Sequence, residues 1–366
     1  MGKLKKIPDN SNGLTLKPKE LVIAAAAVLA LVLVLVPYGW MRLKSVSGSV
    51  KQFRLAEELR DDYYGYEMTS RAMCEKFPAV FLGDSVIWGK YVDNENTLPE
   101  LLNMKIGSFD ICNLAVDGLH PVAMERLLRG HGDGIRGKRV YLYWNPLWMN
   151  TPLYDLSGTE EFSINHPRLL PQFDPSFKSY RASFGDRWST QLEQSVGFCA
   201  WLRHFRAAYC GNKDVKSVIA SGNIRQECGL IAAHYRPYEN RKLVNGTENW
   251  EKSGIKKQDW PWVEAKNSRQ YAAFRRVIAL LEKRGNKVTV VLGTVNPYMQ
   301  TPGSLERYHR LHAEVKGDLE KAGIGFIDLP ELASSEYADA SHPLAPGYRK
   351  LADFMHQQLQ KGDKTK

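Results

Sequence analysis

The apolar positions change their pattern twice along the chain. Residues 1–20 are polar and include Lys3, Lys5, Lys6, Lys17 and Lys19. Residues 21–41, LVIAAAAVLALVLVLVPYGWM, are uncharged and apolar on every face. A helix that crosses a bilayer needs about 20 such residues. Tyr38 and Trp40 fall where interfacial aromatics sit. A soluble core helix would show a polar face. A cleavable signal peptide, with Ser45 and Ser47 near the cut, has an apolar stretch of only about 7–15 residues. The length therefore predicts one uncleaved transmembrane helix over 21–41, a cytoplasmic tail over 1–20, and a juxtamembrane linker and helix over 42–77. The early lysines orient the N-terminus inwards, which puts residues 78–366 on the extracytoplasmic side of the cell membrane. Arg42, Lys44, Lys51 and Arg54 act against that orientation.

From residue 78 the pattern becomes an alternation of short apolar runs and amphipathic stretches. Strands are expected over 79–82, 109–116, 139–145, 287–295 and 324–329. Helices are expected between them. One starts at Thr97-Leu98-Pro99-Glu100, with a Thr cap and an early Pro. One covers 121–129. One covers 268–284, with Tyr271, Phe274, Val277, Ile278 and Leu281 on one face and Gly285 as its stop. One covers 304–322, with Leu305, Tyr308, Leu311, His312, Val315 and Leu319, and a last covers about 347–360. Strands separated by helices of this length predict an α/β fold with a five-stranded parallel sheet. Residues 151–265 break the rhythm and read as a large insertion. It contains Phe173, Tyr180, Trp188, Trp201, Tyr235, Trp250, Trp260 and Trp262. It is either a segment with its own small core, or a lid or glycan platform built on exposed aromatic faces.

Composition narrows this little. The 366 residues allow one large domain or two ordinary ones, and the hydrophobic and charged fractions, 43% and 25%, are globular. The net charge of +10 comes from dispersed Lys and Arg with no nucleic-acid motif, so no nucleic-acid partner is expected. The five cysteines, Cys74, Cys112, Cys199, Cys210 and Cys228, contain no CxxC pair. No metal or other cofactor is expected. Cys199, Cys210 and Cys228 lie close enough in sequence for a local disulfide.

The candidate chemistry starts at the end of the first strand, FLGDSVIWG, residues 81–89. In an open parallel sheet ligands bind beyond the carboxyl ends of the strands, and Ser85 sits there as a candidate nucleophile. A serine needs a base, and the base needs an orienting group. Asp339-Ala340-Ser341-His342 supplies both in one loop after the fifth strand. With the carboxylate on Nδ1, the Nε2 of His342 is left to face Ser85. Acyl transfer also needs donors for an oxyanion. Gly118, after the second strand, offers a backbone N–H, and Asn145, after the third, a side-chain amide. Asp84, His120 and Trp144 are candidate site-lining residues. The bland alternatives are a turn sequence at 83–85 and ordinary loop residues elsewhere.

In this order the blocks resemble the SGNH/GDSL hydrolase superfamily. Gly83-Asp84-Ser85 looks like its first block, 113–118 its second with Ala115 where glycine is usual, and 339–342 its last. The third block is matched only at Asn145, because Tyr143 and Pro146 replace the customary Gly and Asp. The resemblance covers 78–150 and 268–358. It implies a flavodoxin-like three-layer α/β/α fold. It also implies a Ser85-His342-Asp339 acyl-enzyme mechanism, with Ser85, Gly118 and Asn145 holding the oxyanion. The anchor ahead of the domain resembles envelope members of the superfamily that act in glycan O-acetylation and in D-alanylation beside a multispanning membrane acyltransferase. The expected function is a membrane-anchored esterase or O-acyltransferase acting on an acylated glycan or a small ester. The competing expectation is an inactive member that binds glycan or scaffolds a membrane acyltransferase, which Tyr143 and Pro146 favour.

Overall fold

The structure is a computed structural model that describes residues 17–42, 54–177, 180–210 and 247–364. The chain divides into two units, Met1–Ser47 and Gly48–Lys366. The first contains helix α1 (Pro18–Arg42). Pro18 opens it, and the Lys17 N–H donates to the Glu20 carboxylate at 2.8 Å. Side chains along α1 are described to residue 31, and the remainder of the predicted 21–41 span lies outside the described residues. Among the described residues no helix is long and apolar enough to cross a membrane.

The second unit is built on a parallel sheet: β1 (Ala79–Leu82), β2 (Ile111–Asn113), β3 (Arg139–Trp144), β4 (Lys287–Leu292) and β5 (Phe326–Asp328). The order is β2-β1-β3-β4-β5. All five expected strands form, and β2 is shorter than the 109–116 run because the chain leaves the ladder at Asn113. The connections reverse direction once, at β1. Parallel crossovers are right-handed, so the β1–β2 helix lies on one face of the sheet and the other three crossover helices on the opposite face. On the first face α4 (Leu98–Ile106) packs with the last helix, α10 (Ala345–Lys364). On the second, α5 (Pro121–His131) packs with α8 (Arg269–Lys283). Beside α8 runs α9 (Pro302–Lys321), tied to it by the Tyr271 hydroxyl, which donates to Asp318 at 2.6 Å. With both faces covered, β1 is buried throughout, which explains its unbroken apolar sequence.

Register brings the functional loops together. Phe81 pairs with Asn113, Leu82 with Leu142, Trp144 with Leu292, and Leu292 with Asp328. Ser85, Gly118, Asn145, Asn296 and the 339–342 loop all follow these levels and share the carboxyl edge. Ser85 opens the short helix α3 (Ser85–Trp88), capped by Asp84 and closed by Gly89 in the left-handed region at φ 86°.

Two expected segments take definite form. The first is the juxtamembrane linker and helix. From Arg54 onward it belongs to the domain, where α2 (Tyr63–Lys76) buries Tyr63, Tyr66, Met73 and Cys74. Arg54 is itself buried. Its guanidinium lies 4.5 Å from the Trp88 ring centroid and donates to the Gly89 and Val92 carbonyls at 2.8 and 3.0 Å. The second is the insertion, which holds a small core with Leu156, Ile164, Leu170 and Tyr180, as the first of its two readings expects. Tyr180, Trp201, Trp250 and Trp262 are buried. Phe173 and Trp188 are exposed, beside helices α6 (Phe184–Ser195) and α7 (Gly197–Cys210). Tyr235 and Cys228 lie outside the described residues. Cys74, Cys112 and Cys199 are free thiols.

Candidate active site

Ser85 is placed by the turn between β1 and α3. The Asp84 carboxylate accepts from the Val86 N–H at 3.0 Å and so fixes the start of that turn. His342 arrives from the loop before α10. That loop is closed by paired backbone bonds, Ala338 N–H to the His342 carbonyl at 2.9 Å and Leu344 N–H to the Glu336 carbonyl at 2.7 Å. The result is a chain of three side chains. Ser85 Oγ lies 2.8 Å from His342 Nε2. His342 Nδ1 lies 2.8 Å from each oxygen of Asp339. A carboxylate on Nδ1 fixes the proton there and leaves the Nε2 lone pair facing the hydroxyl.

The electrostatics follow from these contacts. Burial pushes the Asp339 carboxyl up. The charge and hydrogen bond of His342, with the Ser341 and His342 N–H groups, outweigh burial and hold it at about 2. Burial pulls the His342 imidazole down, and the charge of Asp339 with its hydrogen bond more than offsets this, so the imidazole titrates above its ordinary 6.5. A hydroxyl bonded to such an imidazole can hand over its proton as it attacks an acyl carbon.

The donors stand around the same cavity, whose volume is about 420 Å³ and whose wall includes Ser85, Gly118, Asn145 and His342. Neither the Ser85 N–H nor the Gly118 N–H finds a protein acceptor among the described residues. Gly118 has φ 76°, which an L side chain adopts at a cost of roughly 1–2 kcal/mol. A Cβ there would also approach the Asn165 amide to 2.8 Å. The Asn145 amide is fixed at both ends: its oxygen accepts from the Leu147 N–H at 3.0 Å, and its nitrogen donates to Asp84 at 2.7 Å. One amide hydrogen remains for a ligand. Tyr143 and Pro146 do not disturb this arrangement. The Tyr143 phenol occupies the space left by Gly293, where a Cβ would overlap the ring, and Pro146 starts the 3-10 turn Pro146–Met149 that Asn145 caps.

Three sequence candidates occupy other places. Trp144 is buried at the end of β3 with its ring 5.9 Å from His312, on the side of α9, and does not reach the cavity. Trp148, one 3-10 turn further, lines the cavity instead, and its indole N–H donates to Asp84 at 2.8 Å. His120 is fully buried behind Trp148, with ring centroids 5.6 Å apart. It caps α5 by accepting from the Ala123 N–H, and burial lowers its pKa to about 3. Asp84 lies beneath the wall and accepts from Asn145, Trp148 and Val86; burial raises its pKa against those three bonds.

Sequence reasoning also missed Asn296. It is fully buried, its N–H donates to the Ala340 carbonyl at 2.8 Å, and its amide donates to the Asp339 carbonyl at 3.3 Å. Its place just past the fourth strand was the available signal. The insertion contributes Tyr154, Asn165, Ile255, Gln258 and Trp260 to the cavity wall.

No family model and no curated protein matches the chain. Among solved structures it is similar to a carbohydrate acetylesterase family member from Sinorhizobium meliloti. That likeness has 12% identity and a TM-score of 0.32, and it covers 78% of this chain and 98% of that one. A likeness of this degree is too slight to carry activity or substrate across.

Proposed function

We propose that the chain is a serine acyl-ester hydrolase or O-acyltransferase, anchored by its N-terminal helix and acting on acylated glycan or another ester outside the cytoplasm. The observation that carries the reading is the Ser85-His342-Asp339 chain of 2.8 Å contacts opening onto a cavity with unengaged N–H donors. Ser85 Oγ attacks the ester carbonyl carbon while its proton passes to His342 Nε2. The oxyanion is held by the Ser85 and Gly118 N–H groups and by the Asn145 amide. Collapse expels the alcohol, which takes the proton from Nε2 and leaves an acyl-Ser85 ester. Water or a carbohydrate hydroxyl, deprotonated by the same imidazole, then releases the acyl group as acid or as a new ester. The inactive-member reading depended on Tyr143 and Pro146, and with Gly293 accommodating the tyrosine no observation favours it. The anchor rests on the uncharged 21–41 run and on α1, which includes it.

The test is covalent labelling of the purified full-length chain with a fluorophosphonate probe. Wild type should label, and Ser85→Ala and His342→Ala should not, with folding of each checked by thermal melting. Labelling of Ser85→Ala at the wild-type rate would sink the assignment. Release of acetate from an acetylated saccharide, with and without added carbohydrate acceptor, separates hydrolysis from transfer.

A further inference from the structure

One wall of the cavity carries charge that the acyl-enzyme chemistry does not use. Asp117 precedes Gly118, and only 2% of its side chain is exposed. Two cations converge on it. Arg60 Nη1 lies 3.3 Å from Asp117 Oδ2, and Lys90 Nζ lies 3.4 and 3.3 Å from Oδ1 and Oδ2. The cations are not buried with their partner: the Arg60 and Lys90 side chains are 43% and 36% exposed, and both line the cavity with Ser85. One cation suffices to neutralise one buried carboxylate, so the second is surplus. Asp61 takes only part of it: its oxygen is 3.7 Å from Arg60 Nε, it lies off the cavity, and its charge is shared with His166 at 3.2 Å and with Arg168. Among the described residues Asp117 is the only carboxylate of the cavity wall, since Asp84 and Asp339 sit behind it. The wall thus has a net positive charge beside the Gly118 N–H. Across the same cavity stand the aromatic rings of Trp148, Tyr154 and Trp260.

We propose that Arg60 and Lys90 form an anion subsite for the alcohol portion of the substrate, so that the ester handled is that of an anionic carbohydrate. Flat aromatic faces suit a sugar ring, and a guanidinium with an ammonium suits its carboxylate or phosphate. This rests on the acyl-enzyme reading and adds the substrate class to it. The surplus charge sits where it meets the substrate outside the reacting carbonyl. It therefore acts on binding, and its effect belongs in KM more than in kcat.

The experiment uses the full-length chain in neutral detergent and three acetate esters: of a methyl glucoside, of the corresponding glucuronoside, and of a glucose phosphate. At low salt an anionic ester should exceed the neutral one in kcat/KM by up to about fivefold, the scale of one exposed ion pair. The two anionic arms tell a carboxylate site from a phosphate site. Raising ionic strength from about 0.01 M to about 1 M shortens the Debye length from about 30 Å to about 3 Å and should erase most of the preference. Arg60→Gln and Lys90→Gln should each reduce the anionic-to-neutral ratio through KM, and Lys90→Arg should restore it. Equal kcat/KM for all three esters at low salt, in a chain that labels with fluorophosphonate, overturns the subsite and leaves the serine chemistry standing. A chain that neither labels nor releases acetate overturns the enzymatic reading, and the subsite falls with it.

Discussion

Asp84 offers the sharpest perturbation, because its carboxylate holds three separate donors in a place closed to water. Oδ2 accepts from the Asn145 amide at 2.7 Å and the Trp148 indole at 2.8 Å, and Oδ1 accepts from the Val86 N–H at 3.0 Å. The residue is 2% exposed. Asp84→Ala strands all three donors. A buried donor left unpaired costs about 1–3 kcal/mol, so the substitution should lower stability by about 3 kcal/mol or more. Asp84→Asn is milder but cannot be neutral. An amide has one oxygen, so its nitrogen must face either Val86 N–H or the Asn145–Trp148 pair. Facing Val86 is the lesser conflict and forfeits a helix cap, at about 1 kcal/mol.

Function should fall with stability in Asp84→Ala and be largely kept in Asp84→Asn, whose oxygen still accepts from Asn145. Asn145 is a proposed oxyanion donor whose direction Asp84 sets, and loss of such a donor costs about 10²–10³ in kcat. Urea denaturation of the full-length chain gives the first quantity, and acetate release from a phenyl ester at saturation gives the second. Asp84→Ala that unfolds within about 0.5 kcal/mol of wild type would refute the hub. So would an Asp84→Ala chain that is destabilised as expected but keeps its kcat, because the amide would then not depend on Asp84 for its aim.

Four further outcomes follow from the geometry and the sequence. His342 must be neutral to act as base and titrates above 6.5, so turnover should fall as pH drops through a midpoint above 6.5. Asp339→Asn leaves burial as the dominant effect and should move that midpoint below 6.5 while lowering the plateau by about 10⁴; an unmoved midpoint in a pH–kcat profile speaks against the pair. The same carboxylate, held at about 2 from 3.8, contributes stability that is present above 3.8 and lost as pH falls towards 2, and Asp339→Asn should remove that loss from an acid titration of unfolding. Asn296→Ala removes the amide bond to the Asp339 carbonyl, keeps the backbone bond to Ala340, and should lower kcat by up to about 100-fold with little change in KM, as for a displaced catalytic group; a wild-type kcat would show that the amide does not position the loop. N-terminal sequencing of the membrane fraction should return a chain that retains residues 21–41, and a start near Ser47 would exclude the anchor.

The sheet was legible because its strands are covered on both faces and read as unbroken apolar runs between turn residues. Ser85, His342 and Asp339 were legible because each needs its own local sequence, a turn after a strand or a carboxylate three residues before an imidazole. What stayed hidden depends on partners distant in sequence. Trp144 and Trp148 both follow the third strand, and only the turn started by Pro146 decides which ring faces the cavity. His120 sits beside Gly118 in sequence, yet its ring is taken by Gln270, Asn165 and Trp148. Arg54 follows an apolar run and reads as a flanking charge, and nothing local shows that its carbonyl acceptors begin at Trp88. Thr97 reads as a helix cap, but its hydroxyl donates to the Asn94 carbonyl instead.

The nucleophile and its neighbouring imidazole are 257 positions apart. The loop bearing His342 runs into α10, which docks on α4 and ties the Tyr348 hydroxyl to the Val86 carbonyl on the Ser85 turn. Domains fold as their residues emerge during synthesis, and here the proposed nucleophile is made long before its proposed base. On the proposed mechanism, a nascent chain that has not reached His342 carries Ser85 without its base and is silent. Loss of α10 to proteolysis would return the folded protein to that silent state while leaving all five strands in the chain.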